Sequence, residues 1–106
     1  MSEQSPPGRR IVAYVPDLMD RSKVAAAGDV TFVARPGDLP AATLADDLVV
    51  VDLTRPCVVD VLGELSGRVI GFANHTSRDV MASARAAGCE VLARSEFFSR
   101  LDNLLG

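Results

Sequence analysis

The chain has 106 residues, 48% of them hydrophobic and 24% charged, with 11 basic against 14 acidic side chains for a formal net charge of -3. This composition is that of one folded, globular domain and excludes a disordered chain. The mild acidic balance gives no electrostatic basis for binding nucleic acid. No apolar run is long enough to cross a bilayer, and the polar N-terminus lacks the pattern of a signal peptide. We therefore predict a cytoplasmic domain that binds neither nucleic acid nor membrane.

In chain order, five apolar stretches alternate with stretches of helical periodicity, after a polar tail over residues 1–9 that contains two prolines and a glycine. Such a tail is typical of disorder, so the domain is expected to span residues 10–106. Strands are predicted over residues 10–15, 30–34, 47–52, 68–73 and 90–93, and helices over residues 18–27, 39–45, 57–65, 76–87 and 95–105. Short connections predict a three-layer, doubly wound (βα)5 sandwich with a parallel sheet in the order 2-1-3-4-5.

The third predicted strand carries the leading candidate for a functional residue. Its unbroken run of leucine and valines is typical of a central strand that is buried on both faces. Asp52 ends this run, and ligands of such sheets bind at the carboxyl ends of the strands. The alternative is an aspartate that simply leaves the strand into solvent or caps the next turn.

From Arg10 onward the chain resembles a response-regulator receiver domain, which has a flavodoxin-like (Rossmann-like) fold. The likeness lies in Asp52, Leu53 and Pro56, which keep the family's spacing after the third strand, and in the glycine turn of residues 86–92 before the fifth. The resemblance implies that Asp52 is a phosphoacceptor. It also implies that Asp17 and Asp52 would hold Mg²⁺, the one cofactor that a functional acid site would need.

Four positions depart from the family's pattern. Pro16 stands in place of an acidic residue, Ala73 in place of the hydroxyl residue, Arg94 in place of the lysine and Ser95 in place of the proline. Ala73 cannot donate a hydrogen bond to a phosphoryl group, and arginine does not replace lysine at a tight anion site. We expect Arg94 to form a fixed ion pair with Asp52. The resemblance therefore implies a pseudo-receiver, with the fold retained and the phosphorylation switch degraded.

The same sheet edge carries candidates for small-molecule binding. Asn74 and His75 follow the fourth strand, and with Arg94 they could bind a small anion at the rim. A loop histidine that binds backbone is the plainer interpretation. No nucleophile elbow adjoins His75 and no phosphate-binding glycine loop follows a strand, so we predict that the protein is not an enzyme.

The two cysteines are too few for a disulfide framework or a zinc site. Cys57 follows Pro56 at a predicted helix start, where the helix dipole lowers the pKa of a thiol. Redox sensing by Cys57 is one interpretation, and a small residue with no chemical role is the other. Cys89 is expected to be buried and inert.

Three functions remain open. The first is a non-catalytic signalling module that needs no cofactor and contacts another protein or a second copy of itself as a homodimer. The second is a genuine single-domain response regulator that is phosphorylated on Asp52. The third is a small-anion sensor at the rim. The resemblance implies contact through the fourth helix, fifth strand and fifth helix, and the short first two helices suggest exposed apolar surface beside them as another partner site.

Overall fold

The computed structural model describes residues 10–105, so the predicted tail over residues 1–9 and the terminal Gly106 lie outside the described residues. Five strands form one parallel sheet in the order β2-β1-β3-β4-β5. They are β1 (Ile11–Tyr14), β2 (Val30–Phe32), β3 (Leu48–Asp52), β4 (Arg68–Ala73) and β5 (Glu90–Ala93). The predicted α/β class and strand order are both confirmed.

Helices flank the sheet on both sides. They are α1 (Leu18–Ala27), α2 (Leu39–Ala42), α3 (Val58–Leu62), α4 (Arg78–Ala86), α5 (Arg94–Ser99) and α6 (Leu101–Leu105), with a 3-10 turn over Pro36–Asp38 before α2. In the part of the chain that the structure describes, no helix is long and apolar enough to cross a membrane.

The first helix has the predicted bounds, but α2 and α3 have only four and five residues and are shorter than predicted. Three valines make α3 a weak helix, because β-branched side chains lose rotamer freedom in a helix, and Gly63 follows its last residue. The last predicted helix is divided at Arg100 into α5 and α6.

The alternation of side chains along each strand divides the core into two layers. In β3, Val49 and Val51 face the layer of α2, α3 and α4, whereas Leu48 and Val50 face the layer of α1, α5 and α6. All four side chains are fully buried. Burying a side chain of this size contributes about 1.5–3 kcal/mol of transfer free energy. The apolar run of β3 is therefore explained by helices on both faces.

The parallel register aligns the strand ends along two opposite edges. Asp52 is paired with Phe72, and Ala73 with Ala93, so the residues that end or follow β3, β4 and β5 lie side by side. We call the edge of the sheet at which the strands end the carboxyl edge. The opposite edge, at which the strands begin, is called the amino edge.

Candidate functional site

A polar pocket of about 230 Å³ opens at the carboxyl edge. Its lining residues are Asp17, Asp20, Asp52, Thr54, Arg55, Phe72, Ala73, Asn74 and Arg94. Three carboxylates and two guanidinium groups leave an excess of one negative charge in the lining. We call this space the carboxyl-edge pocket.

Asp52 is buried at the end of β3, and its carboxylate is bonded within the turn that follows. One oxygen accepts hydrogen bonds from the backbone N–H of Thr54 at 3.0 Å and from the Thr54 hydroxyl at 2.6 Å. The other oxygen accepts from Nε of Arg55 at 3.3 Å. These bonds satisfy the buried carboxylate from its own chain segment.

The second buried carboxylate of the pocket belongs to Asp20, in the first turn of α1. Nη1 of Arg94 donates to one of its oxygens at 2.7 Å, and Nη2 of Arg94 donates to the other. The guanidinium of Arg94 also lies 5.7 and 5.1 Å from the ring centroids of Phe72 and Phe98. The hydrogen bond to Asp20 raises the pKa of Arg94 above its usual range.

The prediction that Arg94 forms an ion pair with Asp52 was therefore wrong. Arg94 binds Asp20, and the arginine that binds Asp52 is Arg55. The physical reason is geometric, since α1 brings both oxygens of Asp20 within hydrogen-bond distance of Arg94 at the start of α5, and a bidentate arginine–carboxylate contact is the stronger arrangement.

Asp17 is the N-cap of α1 and lines the pocket from its rim. Its Oδ1 atom accepts hydrogen bonds from the backbone N–H groups of Asp20 and Met19, each at 3.0 Å. The bond from Asp20 is the main reason why the pKa of Asp17 lies below its usual range, and the charges of Arg55 and Arg94 act in the same direction. Capping of the helix is thus an established structural role for this carboxylate.

The donor set of the pocket does not fit the Mg²⁺ ion that the resemblance implies. Of the two carboxylates that the resemblance assigns to Mg²⁺, Asp52 has a hydrogen-bond partner on each oxygen, Thr54 on one and Arg55 on the other, and Oδ1 of Asp17 is used to cap α1. The third carboxylate of the pocket, Asp20, is held by Arg94. Within residues 10–105, no group of three or more His, Cys, Asp or Glu side chains has the arrangement of a metal site.

The remaining residues predicted at the rim do not all line the pocket. Asn74 lines the pocket, whereas His75 is exposed and lies outside the lining. Ala73 is buried and offers the pocket only its methyl group. Half-buried Pro16 and exposed Ser95 are not lining residues either.

Neither cysteine belongs to the pocket. Cys57 is exposed with φ of 68°, in the left-handed region that side-chain-bearing residues seldom adopt, directly before the five-residue α3. Cys89 is buried as predicted, and burial raises the pKa of its thiol to about 12, so the thiol stays protonated.

Three polar lining residues, Asp20, Thr54 and Arg55, were missed from the sequence. Asp20 shares the sheet-facing side of α1 with Val24, four residues further along the helix. A carboxylate on the buried side of a predicted helix was the available signal. Thr54 and Arg55 carried no comparable signal, because polar residues after a strand are common.

Compared with known proteins, the chain shows no significant match to any protein-family model, curated protein or solved structure. The likeness to receiver domains therefore stays a prediction from the residues of the chain.

Proposed function

We propose that this protein is a receiver-like signalling module that acts through protein contact and has lost the phosphorylation switch. The observation that carries the proposal is the pairing of both buried carboxylates of the pocket, Asp52 with Arg55 and Asp20 with Arg94. A phosphoacceptor aspartate must offer a free oxygen to the phosphoryl group and must share a metal with a second carboxylate. In this pocket each oxygen of Asp52 already accepts a hydrogen bond, one from Thr54 and the other from Arg55.

The wall of the pocket offers no obvious means of transmitting a change of charge. Ala73 has no hydroxyl group to follow a phosphoryl group, and Arg94 is held by Asp20 and by the ring of Phe72. Such a site supports a fixed conformation, which suits a module that is recognised by a partner in one state.

The small-anion sensor receives less support from the same pocket. Its lining carries more carboxylates than guanidinium groups, and both arginines are already paired. His75, one of the predicted anion ligands, lies outside the lining. Coulomb repulsion by the unbalanced carboxylate would oppose anion entry.

The test is a backbone amide NMR titration with Mg²⁺, in the presence and absence of beryllofluoride. We expect no saturable shifts at Asp17, Asp52 or Ala73 up to millimolar Mg²⁺. Saturable shifts centred on Asp52, abolished by Asp52→Asn, would overturn the proposal in favour of a genuine response regulator.

A restored variant is the matched control for a negative result. Pro16→Asp, Ala73→Thr and Arg94→Lys together return three altered positions to the family's pattern. Binding of beryllofluoride by this variant alone would assign the loss of the switch to those residues. This result would also serve as a positive control, because it would show that the titration detects a functional phosphorylation site on this fold.

A further inference from the structure

The strand β2 carries unpaired backbone groups on the side that faces away from β1, which we call the free side of β2. Within residues 10–105, β2 is a terminal strand of the sheet and pairs only with β1. The N–H of Val33 donates to the carbonyl oxygen of Ala13 at 2.9 Å, so the backbone groups of Val33 point toward β1. Because this direction alternates from residue to residue in an extended chain, the backbone groups of Val30, Phe32 and Ala34 point to the free side. They can form a ladder with one further strand.

The side chains at the free side of β2 are apolar and only half-buried. Val30 and Phe32 pack on the layer of α1, α5 and α6, and Val33 packs on the opposite layer. The strand itself reads Val-Thr-Phe and contains neither a charged residue nor a proline, the residues that commonly protect a terminal strand from pairing. A second strand along the free side would cover these side chains on both faces of the sheet.

Two residues of opposite charge lie at the ends of this uncharged segment. Asp29 precedes β2, Arg35 follows it after two further residues, and both are exposed. The backbone of Arg35 is still extended, with φ of -141° and ψ of 150°. Its Nε atom lies 3.7 Å from Oδ2 of Asp38, and 80% of the Arg35 side chain is exposed. Such a long surface contact leaves the guanidinium available to a second carboxylate.

An antiparallel pairing of two copies about a two-fold axis uses both sets of features. With the axis beside Phe32, this residue faces itself and Val30 faces Ala34 of the second copy, so that all the outward backbone groups find partners. The same register places Asp29 opposite Arg35 of the second copy, at a position where facing side chains approach closely. The chain bends at Ala34 and Arg35, so the ladder ends there and the charged contact is made by the long arginine side chain.

Neighbouring registers lose one of these features. Moving the axis by one residue toward the C-terminus places Val30 opposite Pro36, which has no N–H to donate. Moving it by one residue toward the N-terminus places Arg35 opposite Ala27 in place of Asp29. The sequence around β2 therefore favours one register of pairing with itself.

The charges that surround the free side of β2 admit a second copy. Each copy contributes Asp29 and Asp38 against Arg21 and Arg35, so the two surfaces that meet carry no net charge. The guanidinium of Arg21 lies 4.5 Å from the ring centroid of Phe32 in its own copy. Arg21 is exposed, so solvent screens the two Arg21 side chains from each other.

The other terminal strand, β5, is less suited to pair with itself. Glu90 begins it and accepts a hydrogen bond from Nη2 of Arg68 at 2.8 Å, and α5 follows its last residue directly. Pairing of β2 with β5 of the next copy would lack two-fold symmetry and would propagate into an open chain of copies. Pairing of β2 with itself closes as a dimer.

We propose that two copies of this protein associate through the free sides of their β2 strands, in antiparallel orientation, and form one continuous sheet. Backbone hydrogen bonds join the two strands around Phe32, and Asp29 pairs with Arg35 of the second copy at both ends. The contact is short, which is typical of weak and reversible association. This inference rests on the proposed function as a contact module and adds the partner and the surface.

The test is analytical ultracentrifugation of the full chain from about 10 μM to about 1 mM, in which we expect a monomer–dimer equilibrium. Asp29→Arg places like charges opposite each other at both ends of the ladder and should weaken dimerisation about ten-fold or more. Arg35→Asp should have the same effect. Glu64→Arg makes the same charge change at an exposed residue after α3 and is the matched control, which should dimerise like the parent protein.

Mixing the two charge variants gives the sharper result. Asp29→Arg leaves two arginines at the ends of the segment and Arg35→Asp leaves two aspartates, so a mixed pair has both charged contacts. An equimolar mixture should form the dimer at concentrations at which each variant alone is monomeric. Thermal unfolding of each variant confirms that it is folded.

Amide hydrogen exchange of the parent protein locates the contact. Exchange of the Phe32 N–H should slow as the protein concentration rises, and Asp29→Arg should remove this dependence. A parent protein that stays monomeric, charge variants that dimerise like the parent, a mixture that stays monomeric, or growth beyond a dimer would each overturn the proposal.

The beryllofluoride titration reports on the carboxyl-edge pocket and not on the free side of β2. The proposed dimer and the proposed loss of the switch can therefore fail separately.

Discussion

The two edges of the sheet both hold a buried aspartate bound to an arginine, yet they differ in the space beside it. At the amino edge, Asp47 accepts hydrogen bonds from Nε and Nη2 of Arg10 at 3.1 and 2.7 Å and from the backbone N–H of Leu44 at 2.7 Å. At the carboxyl edge, Asp20 and its arginine border a pocket of about 230 Å³.

The amino edge is closed by backbone as well as by side chains. The carbonyl oxygen of Asp47 accepts from the backbone N–H of Arg68 at 3.0 Å, and Gly67 lies against the same oxygen. A buried ion pair alone therefore does not identify a functional site. The open space beside the pair distinguishes the carboxyl edge, and four changes test how far this difference extends.

The substitution with the largest expected effect disrupts the closed amino edge. In Gly67→Ala the added Cβ would lie 2.3 Å from the carbonyl oxygen of Asp47, a backbone atom that cannot move cheaply. We expect the free energy of unfolding to fall by about 3 kcal/mol, at the upper end of overpacking effects. Urea denaturation measures this loss.

Gly63→Ala is the matched control, because its Cβ would meet nothing within 4 Å and its φ of -67° suits alanine. Its stability should be unchanged or higher by up to about 1 kcal/mol. Equal stabilities of the Gly63 and Gly67 variants would contradict the closed edge.

At the open edge, Arg94→Met removes the cation from Asp20, whose side chain is only 3% exposed. We expect a loss of about 2 kcal/mol. A fully buried pair would lose about 3–5 kcal/mol, but the Arg94 side chain is 41% exposed, so water moderates the effect. Urea denaturation should also show partial recovery when Asp20→Asn is added.

Arg78→Met, at an exposed arginine at the start of α4, should change the stability by less than about 0.5 kcal/mol. A loss in Arg94→Met no larger than this would mean that the pair is not a structural contact.

The third change, Asp47→Asn, tests the amino edge through the pH dependence of the free energy of unfolding. The hydrogen bond from Arg10 holds the pKa of Asp47 below its usual range. A carboxyl whose pKa is lower in the folded state stabilises the fold fully above its unfolded pKa of about 4, and this stabilisation is lost as the pH falls through the folded-state pKa. Asp47→Asn should therefore flatten the fall of stability below about pH 4, measured by urea denaturation at several pH values.

In Asp47→Asn the free energy of unfolding should still fall somewhat as the pH is lowered. The hydrogen bond from Arg68 also holds the pKa of Glu90 below its usual range, so this second carboxylate contributes to the pH dependence. Asp46→Asn, at the exposed neighbouring residue, is the matched control for removing one carboxylate charge from this turn. An unchanged slope in Asp47→Asn would show that this carboxylate does not contribute.

The smallest effect concerns Thr43, whose buried hydroxyl has no hydrogen-bond partner within the described range 10–105. Valine has the same shape without the hydroxyl, so Thr43→Val should leave the stability unchanged or raise it by up to about 1 kcal/mol. Thr43→Ser keeps the hydroxyl, removes the methyl group and should lose about 1 kcal/mol. Denaturation midpoints compare the two, and a clear loss in Thr43→Val would mean that the hydroxyl is bonded.

The sequence by itself determined the fold and most of the carboxyl edge. Short apolar stretches located all five strands, and the rules of parallel connection placed four polar residues at one edge. All four line the pocket: Asp17, Asp52, Asn74 and Arg94. Periodicity and chain connectivity are properties of neighbouring residues, which explains why they can be derived from the chain alone.

Only the tertiary structure decided which charges pair and which surfaces remain open. Arg94 binds Asp20, 74 residues away, instead of Asp52, because the approach of α1 to α5 sets that distance. The same packing turns Val24 inward and leaves Leu18 and Met19 outside. These outcomes depend on how distant elements meet in three dimensions, which no local pattern specifies.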